Sequence, residues 1–393
     1  MRVTHVITRL IVGGAQENTI ASVLGLRQKP GVEVDLISGP SQGAEGSLES
    51  VFSDYPGVLR IVPELIRPIA PLRDLKAASR LTAIFASDPP NIVHTHSGKA
   101  GILGRLAAAR AGVPIIIHTI HGPSFGGFQG WISNLILRAA EVRAARVTTH
   151  FVVVADAMRE HYLRAGIGRP DQYTRVFSGF DLDPFLGAVN DQALRAQFGI
   201  APGDIVVGKI ARLFKLKGHE ELIAAAPQLV EACPRLKFLL VGDGPWRHKF
   251  ESQVRRAGLA KHFVFAGLVP PGTVPRMVGI MDLLVHLSLR EGLARALPQA
   301  LAASRPIVAY DCDGAREVCL EGQTGFLLQP GNRQQLIDRV LVLARDPSLR
   351  QRFGQRGCQY VSERFSVHRM VDELYKLYRN LSEPLRVPAR PRA

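Results

Sequence analysis

What the chain lacks narrows it first. Cysteine occurs four times in 393 residues, at Cys233, Cys312, Cys319 and Cys358, with no CxxC pair and no even ladder of spacings. That pattern gives neither a disulfide framework nor a zinc site and fits a reducing compartment. No apolar run approaches the roughly 20 residues of a membrane span, and the short run from Met1 to Ile7 meets Gly13-Gly14 before it could form the core of a signal peptide. The expectation is a cytoplasmic protein without a spanning anchor. Acidic residues are outnumbered, 34 against 49 basic, for a formal charge of +15. That excess suits an anionic partner: nucleic acid, a phospholipid surface or a phosphorylated substrate. Aromatics are only 7%, and no dense basic run is interleaved with them as a nucleic-acid groove requires, so nucleic acid is not the expected partner. Neither GxxxxGK[ST] nor GxGxxG occurs, which excludes a P-loop and a full dinucleotide fingerprint.

What is present is the balance of a soluble globular protein, 46% hydrophobic and 21% charged, in a chain too long for one ordinary core. Short β-branched runs alternate with longer amphipathic stretches, the pattern of parallel sheets covered by helices on both faces. Strands are predicted at 2–8, 32–37, 58–62, 91–95, 114–118, 151–154 and 173–177, then at 205–210, 237–241, 263–266, 282–286, 306–310 and 325–328. The fold class is therefore α/β, with two doubly wound Rossmann-like domains at 1–183 and 184–365. A helix follows at 366–381, and the Pro/Arg-rich tail 382–393 reads as a disordered end. The positive excess is +4 over 1–183 and +11 over 184–393. The crevice between two such domains is the expected ligand site.

In open parallel sheets ligands sit at the carboxyl ends of strands. After 205–210, Arg212 and Lys217 stand five residues apart in a strand-to-helix loop and can converge on one polyanion, with Gly218 at a helix N-terminus that adds its own positive end; the alternative is a solvated basic loop. After 282–286 come Glu291 and Gly292, then Pro298, suited to the first position of a helix. A carboxylate here makes sense if it meets neutral hydroxyls, as on a sugar; otherwise Glu291 only caps the helix region. Gly242-Asp243-Gly244-Pro245 is a turn that allows close backbone approach. In the first half, Gly13-Gly14 opens a helix, and histidines cluster as His94-Thr95-His96 and His118-Thr119-Ile120-His121. HxH beside HxxH could bind a metal, but no acidic ligand set accompanies it and no metal is expected. His94 and His118 read as structural, and His121 as the one placed to face the crevice.

In order and spacing, Gly13-Gly14-Ala15-Gln16-Glu17, His94 to Gly101, His121-Gly122, Ser178-Gly179, Arg212…Lys217-Gly218, Gly242-Asp243-Gly244-Pro245, Glu291-Gly292 and Thr324-Gly325-Phe326 resemble family 4 of the retaining glycosyltransferases, with the GT-B fold. The resemblance implies four catalytic residues: Arg212 and Lys217 on the donor diphosphate, Glu291 on hydroxyls of the transferred sugar, and His121 at the sugar's face. It implies donor contacts from Gly14, Gly242, Asp243, Gly244, Gly292, Leu293 and Gln299. It also implies a nucleoside-diphosphate sugar (UDP- or GDP-linked) as donor, a glycan or lipid-linked acceptor, no cofactor or metal, peripheral contact with anionic membrane, and a last helix that returns to the first domain. The family's second glutamate, seven residues beyond the first, is Gln299 here, a neutral and weaker partner for ribose hydroxyls. Two other readings remain open: a non-transferring GT-B enzyme such as a sugar-nucleotide epimerase, and a degenerate nucleotide-sugar-binding protein.

Overall fold

The computed structural model describes residues 1–41 and 46–383, and the chain divides into two compact units, Met1–Phe180 with Val367 onward, and Asp181–Ser366. The first division falls three residues before the expected 183, because the short helix starting at Asp183 packs on helices of the second unit. The predicted tail lies outside the described residues beyond Glu383.

The first unit is a seven-stranded parallel sheet in the order β3-β2-β1-β4-β5-β6-β7. Its strands are β1 (Arg2–Ile7), β2 (Glu33–Ser38), β3 (Leu59–Ile61), β4 (Ile92–His96), β5 (Ile115–Ile120), β6 (His150–Val153) and β7 (Tyr173–Arg175). Helices α1 (Gly14–Leu26), α2 (Pro71–Ser87), α3 (Gly98–Arg110), α4 (Trp131–Ala145) and α5 (Asp156–Arg164) connect them. All six residues of β5 are buried, which is why its sequence shows no apolar–polar alternation and opens on three isoleucines. It runs two residues past the predicted end, so Thr119 and Ile120 lie inside the strand with His118.

The second unit is a six-stranded parallel sheet in the order β10-β9-β8-β11-β12-β13. Its strands are β8 (Ile205–Ile210), β9 (Leu236–Val241), β10 (Phe263–Gly267), β11 (Leu283–His286), β12 (Ile307–Tyr310) and β13 (Gly325–Leu328). Its helices are α6 (Asp183–Leu186), α7 (Gln192–Gln197), α8 (His219–Ala232), α9 (Arg247–Arg256), α10 (Val274–Gly279), α11 (Ala296–Ala302), α12 (Arg333–Arg345) and α13 (Pro347–Ser362). Both sheets reverse strand order beside their first strand, between β1 and β4 and between β8 and β11. There the following loops diverge and leave space for a ligand.

The last helix, α14 (Val367–Ser382), belongs to the first unit. Met370, Val371, Leu374, Leu377 and Tyr378 form one stripe at helical spacing and are buried. Each such side chain contributes about 1.5–3 kcal/mol when fully buried. The stripe packs on α1, where a Cβ on Gly25 would come within 2.4 Å of Val371; glycine is what lets the two helices approach. Among the described residues no helix is long and apolar enough to cross a membrane.

Candidate functional site

Three loops of the second unit converge at the carboxyl ends of β8, β11 and β12. Leu289 N–H donates to the Leu216 carbonyl at 2.9 Å, and Glu291 N–H donates to Asp313 Oδ2 at 2.6 Å. Two residues outside glycine with positive φ, Leu216 (69°) and Asp313 (49°), sit in this convergence, a local strain that persists only where surrounding structure over-determines it. Gly218 is N-cap of α8 at φ 69°, and a Cβ there would lie 2.1 Å from the Leu287 carbonyl oxygen, so only glycine brings the α8 N-terminus this close to β11's loop.

The loops enclose a cavity of about 340 Å³ lined by Arg212, Lys217, His286, Glu291 and Arg295, with Ile210, Ala211, Ala294 and Ala296. Lys217 Nζ donates to Glu291 Oε1, and His286 Nε2 lies 3.9 Å from the same oxygen. Burial pushes the Glu291 carboxyl up, but the Lys217 ammonium and its hydrogen bond outweigh it and hold the group below its ordinary value. Burial drives His286 down to about 3, so the ring is neutral. Arg212 is exposed, its guanidinium 5.5 Å from the centre of the Phe214 ring. The structure thus brings Arg212, Lys217 and Glu291 together, with two cations and a helix N-terminus facing one space, an arrangement that can hold a diphosphate.

The remaining expected donor residues do not line this cavity. Gly242 (φ 130°) and Gly244 face the protein's own backbone: a Cβ would come within 2.3 Å of the Ala211 carbonyl and 2.5 Å of the Leu213 carbonyl, respectively. Asp243 accepts from Gly244 N–H at 2.7 Å and pairs with Arg247 at 2.9 Å. This turn buttresses the Arg212 loop. Gly292 and Leu293 are buried beneath Glu291, with the Gly292 carbonyl accepting from Gly314 N–H. Helix α11 starts at Ala296, two residues before the position assigned to Pro298, because the turn already closes through Gln299 N–H to the Arg295 carbonyl. Gln299 is half-buried on that helix.

Gly14 and His121 belong to the first unit. Gly14 is the exposed first residue of α1. His121 Nε2 lies 3.0 Å from His96 Nδ1, and His96 Nε2 lies 2.9 Å from His5 Nδ1. His5 Nε2 is 3.4 Å from the Tyr378 hydroxyl, which also bonds His94 Nδ1; His94 Nε2 reaches Thr119 Oγ1 at 2.6 Å. His5 and His94 are direct neighbours across β1 and β4. Burial holds His5 at about 3 and His121 at about 4, and His94 and His96 well below the ordinary value. His5, His94 and His96 offer ligand atoms within 4.8 Å of one another, a set that could hold a metal ion, although every ring nitrogen just described already has a hydrogen-bond partner. No local pattern in the sequence points to His5 or Tyr378. Lys209 carries one signal, a lone charge inside the apolar strand Ile205–Ile210.

Comparison with known proteins bears on both units. Residues 190–360 match the model described as glycosyl transferases group 1, and residues 13–178 match a glycosyl transferase 4-like domain. The chain is 27% identical over 322 residues to the Escherichia coli UDP-Gal:alpha-D-GlcNAc-diphosphoundecaprenol alpha-1,3-galactosyltransferase, covering 81% of this chain and 82% of the relative. It is 23% identical over 367 residues to the capsular polysaccharide biosynthesis glycosyltransferase CapM of Staphylococcus aureus, covering 89% and 90%. The crystal structure of Anabaena HepE in complex with UDP-glucose superposes with a TM-score of 0.80 at 22% identity, covering 97% of this chain and 100% of HepE. The same fold, two Rossmann-like units in the GT-B manner, is shared with a sucrose-phosphate synthase from Thermosynechococcus elongatus.

Proposed function

The chain belongs to the family 4 (group 1) glycosyltransferases, and on that premise we propose that it moves a hexosyl or N-acetylhexosaminyl unit, with retention of anomeric configuration, from a UDP-sugar to a lipid-linked or glycan hydroxyl. The observation that carries this reading is the cavity where Arg212, Lys217 and Glu291 meet. A departing diphosphate accumulates negative charge. Two preorganised cations and the N–H groups opening α8 stabilise that charge without a metal or cofactor. Glu291 serves the donor's sugar hydroxyls once Lys217 engages phosphate. A leaving phosphate oxygen takes the acceptor's proton, so no protein nucleophile is needed, and His121 stays a neutral hydrogen-bonding group. The E. coli relative is a galactosyltransferase using UDP-Gal and a diphosphoundecaprenol-linked GlcNAc, and HepE was crystallised with UDP-glucose; these support a uridine donor and an acceptor in envelope or exopolysaccharide assembly.

A lipid-linked acceptor also places the enzyme peripherally at an anionic membrane. Leu72 is 78% exposed at the start of α2 and Trp131 77% exposed at the start of α4. Ile69, Leu75, Ile132, Leu135 and Ile136 are exposed beside them, as are Arg67, Arg73 and Lys76. Apolar and basic side chains together suit the headgroup boundary. Binding to phosphatidylglycerol vesicles that Trp131→Ser weakens supports this location; equal binding by both proteins removes it.

The test of the reaction is a thermal-shift panel of nucleoside diphosphates with and without magnesium, followed by donor consumption with and without a lipid-linked acceptor. A shift by UDP that persists without magnesium and disappears in Lys217→Ala supports the assignment. Donor consumption without acceptor supports an epimerase instead, and tight UDP binding without turnover a degenerate binding protein.

A further inference from the structure

Lysine is almost never fully buried unless paired. Lys209 breaks that rule: it lies in β8 with no exposure, and among the described residues its Nζ has no hydrogen-bond partner. Three more buried polar atoms without partners surround the same region, Nδ1 and Nε2 of His219 at the start of α8 and Nε2 of His286 at the end of β11. The charged groups that act on Lys209 are Lys217 and Glu291 from the two site loops and Glu220 from the first turn of α8. His219 and His286 face it as neutral rings. An amine with no partner has therefore been built in behind the Lys217–Glu291 ion pair.

That pair poses a problem of charge. Lys217 cannot fully neutralise Glu291 and grip phosphate at once, and a half-buried carboxylate that loses its cation is left uncompensated. We propose that Lys209 is the reserve counter-charge: when a nucleoside diphosphate draws Lys217 onto its phosphates, Lys209 takes a proton from solvent and replaces Lys217 as the cation that balances Glu291. The inference rests on the reading that Lys217 binds the donor diphosphate. Lys209 touches no substrate in it and acts as a positioning residue, keeping Glu291 ionised and oriented.

The electrostatics give the direction. Burial, with the Lys217 ammonium adding to it, pushes Lys209 down to about 7, while Glu291 and Glu220 oppose. A diphosphate cancels the Lys217 contribution and leaves those of Glu291 and Glu220, so the Lys209 value rises on binding and the complex holds more protons than the free protein. At pH 8, above that value, free Lys209 is mainly unprotonated.

Calorimetric titration with UDP at pH 8, repeated in buffers of different ionisation enthalpy, reads this proton directly; the terminal phosphate, with a second pKa of about 6, is already ionised. Uptake approaching one proton per UDP is expected, with affinity falling up to about tenfold from pH 8 to pH 9. In Lys209→Met, which keeps the length and removes the buried amine, uptake should vanish and affinity should stay flat over that interval, with a melting temperature no lower than the parent's. UDP bound through Lys217 without proton uptake, or with uptake retained in Lys209→Met, overturns the handover alone. UDP affinity untouched by Lys217→Ala overturns the donor-site reading and the handover with it.

Discussion

The two sheets reverse strand order at equivalent places and fill them with opposite chemistry. Beside β1 and β4, four neutral imidazoles and the Tyr378 hydroxyl form a hydrogen-bonded chain. Beside β8 and β11, Lys217 and Glu291 are ion-paired, and Lys209 and the His219 ring have no hydrogen-bond partner among the described residues. A neutral, fully bonded cluster rigidifies its surroundings. A charged cluster with unmet donors has free energy to gain from a ligand that completes it. The difference argues that the second unit's switch point is built to change state on binding and the first unit's to hold shape.

The largest expected effect breaks the comparison by acid. His5, His94, His96, His118 and His121 are all held below their ordinary values in the first unit, against His219 and His286 in the second. Unfolded imidazoles bind protons below pH 6.5 while the folded ones do not, so stability is complete above 6.5 and is lost as pH falls toward the folded values, by about 1.4 kcal/mol per pH unit for each ring. Calorimetric scans at pH 7.5 and 5.5 should show the first unit's transition fall further than the second's. Equal falls would mean that the imidazoles are not buried as described.

Next in size, Lys217→Ala should lower turnover by about 10²–10³-fold, the usual cost of removing one preorganised donor, while melting temperature changes little; steady-state transfer assays and a melting curve decide it. Glu291→Ala should also abolish transfer yet leave UDP binding measurable by calorimetry. Tyr378→Phe removes the hydroxyl that joins His94 to His5 and should cost about 1–3 kcal/mol of stability, read by urea denaturation, with UDP affinity unchanged. The smallest effect is at Gln299: a carboxylate accepts from hydroxyls more strongly than an amide, so Gln299→Glu should tighten UDP binding by up to about 1.4 kcal/mol, tenfold. Unchanged affinity would place the ribose elsewhere.

How much of this was legible depends on the distance over which each signal acts. Every strand could be read from its own residues: the central parallel strands are buried, mainly apolar runs, and the partly exposed edge strands β3 and β7 carry β-branched or aromatic residues. Arg212, Lys217 and Glu291 were legible because each stands in a loop that leaves the carboxyl end of a strand. The role of Gly242 and Gly244 was not, since their constraint is the backbone of Ala211 and Leu213, about thirty residues upstream. Nor was the bond between His5 and Tyr378, 373 residues apart, which no local pattern can encode. Lys209 could be seen as a charge in an apolar strand, but its neighbours come from α8 and β11, and only the fold assembles them.

The return of α14 to the first sheet has a consequence in time. The first sheet is synthesised before the second unit, but Met370, Val371, Leu374, Leu377 and Tyr378, which complete its core, follow that unit. The second unit is contiguous and can close as soon as Ser366 emerges, whereas the first must wait for the helix that follows it, with its α1 surface and histidines open. A nascent chain stalled before Val367 would thus carry a finished second unit and an unfinished first one, the state in which quality control would most readily recognise it.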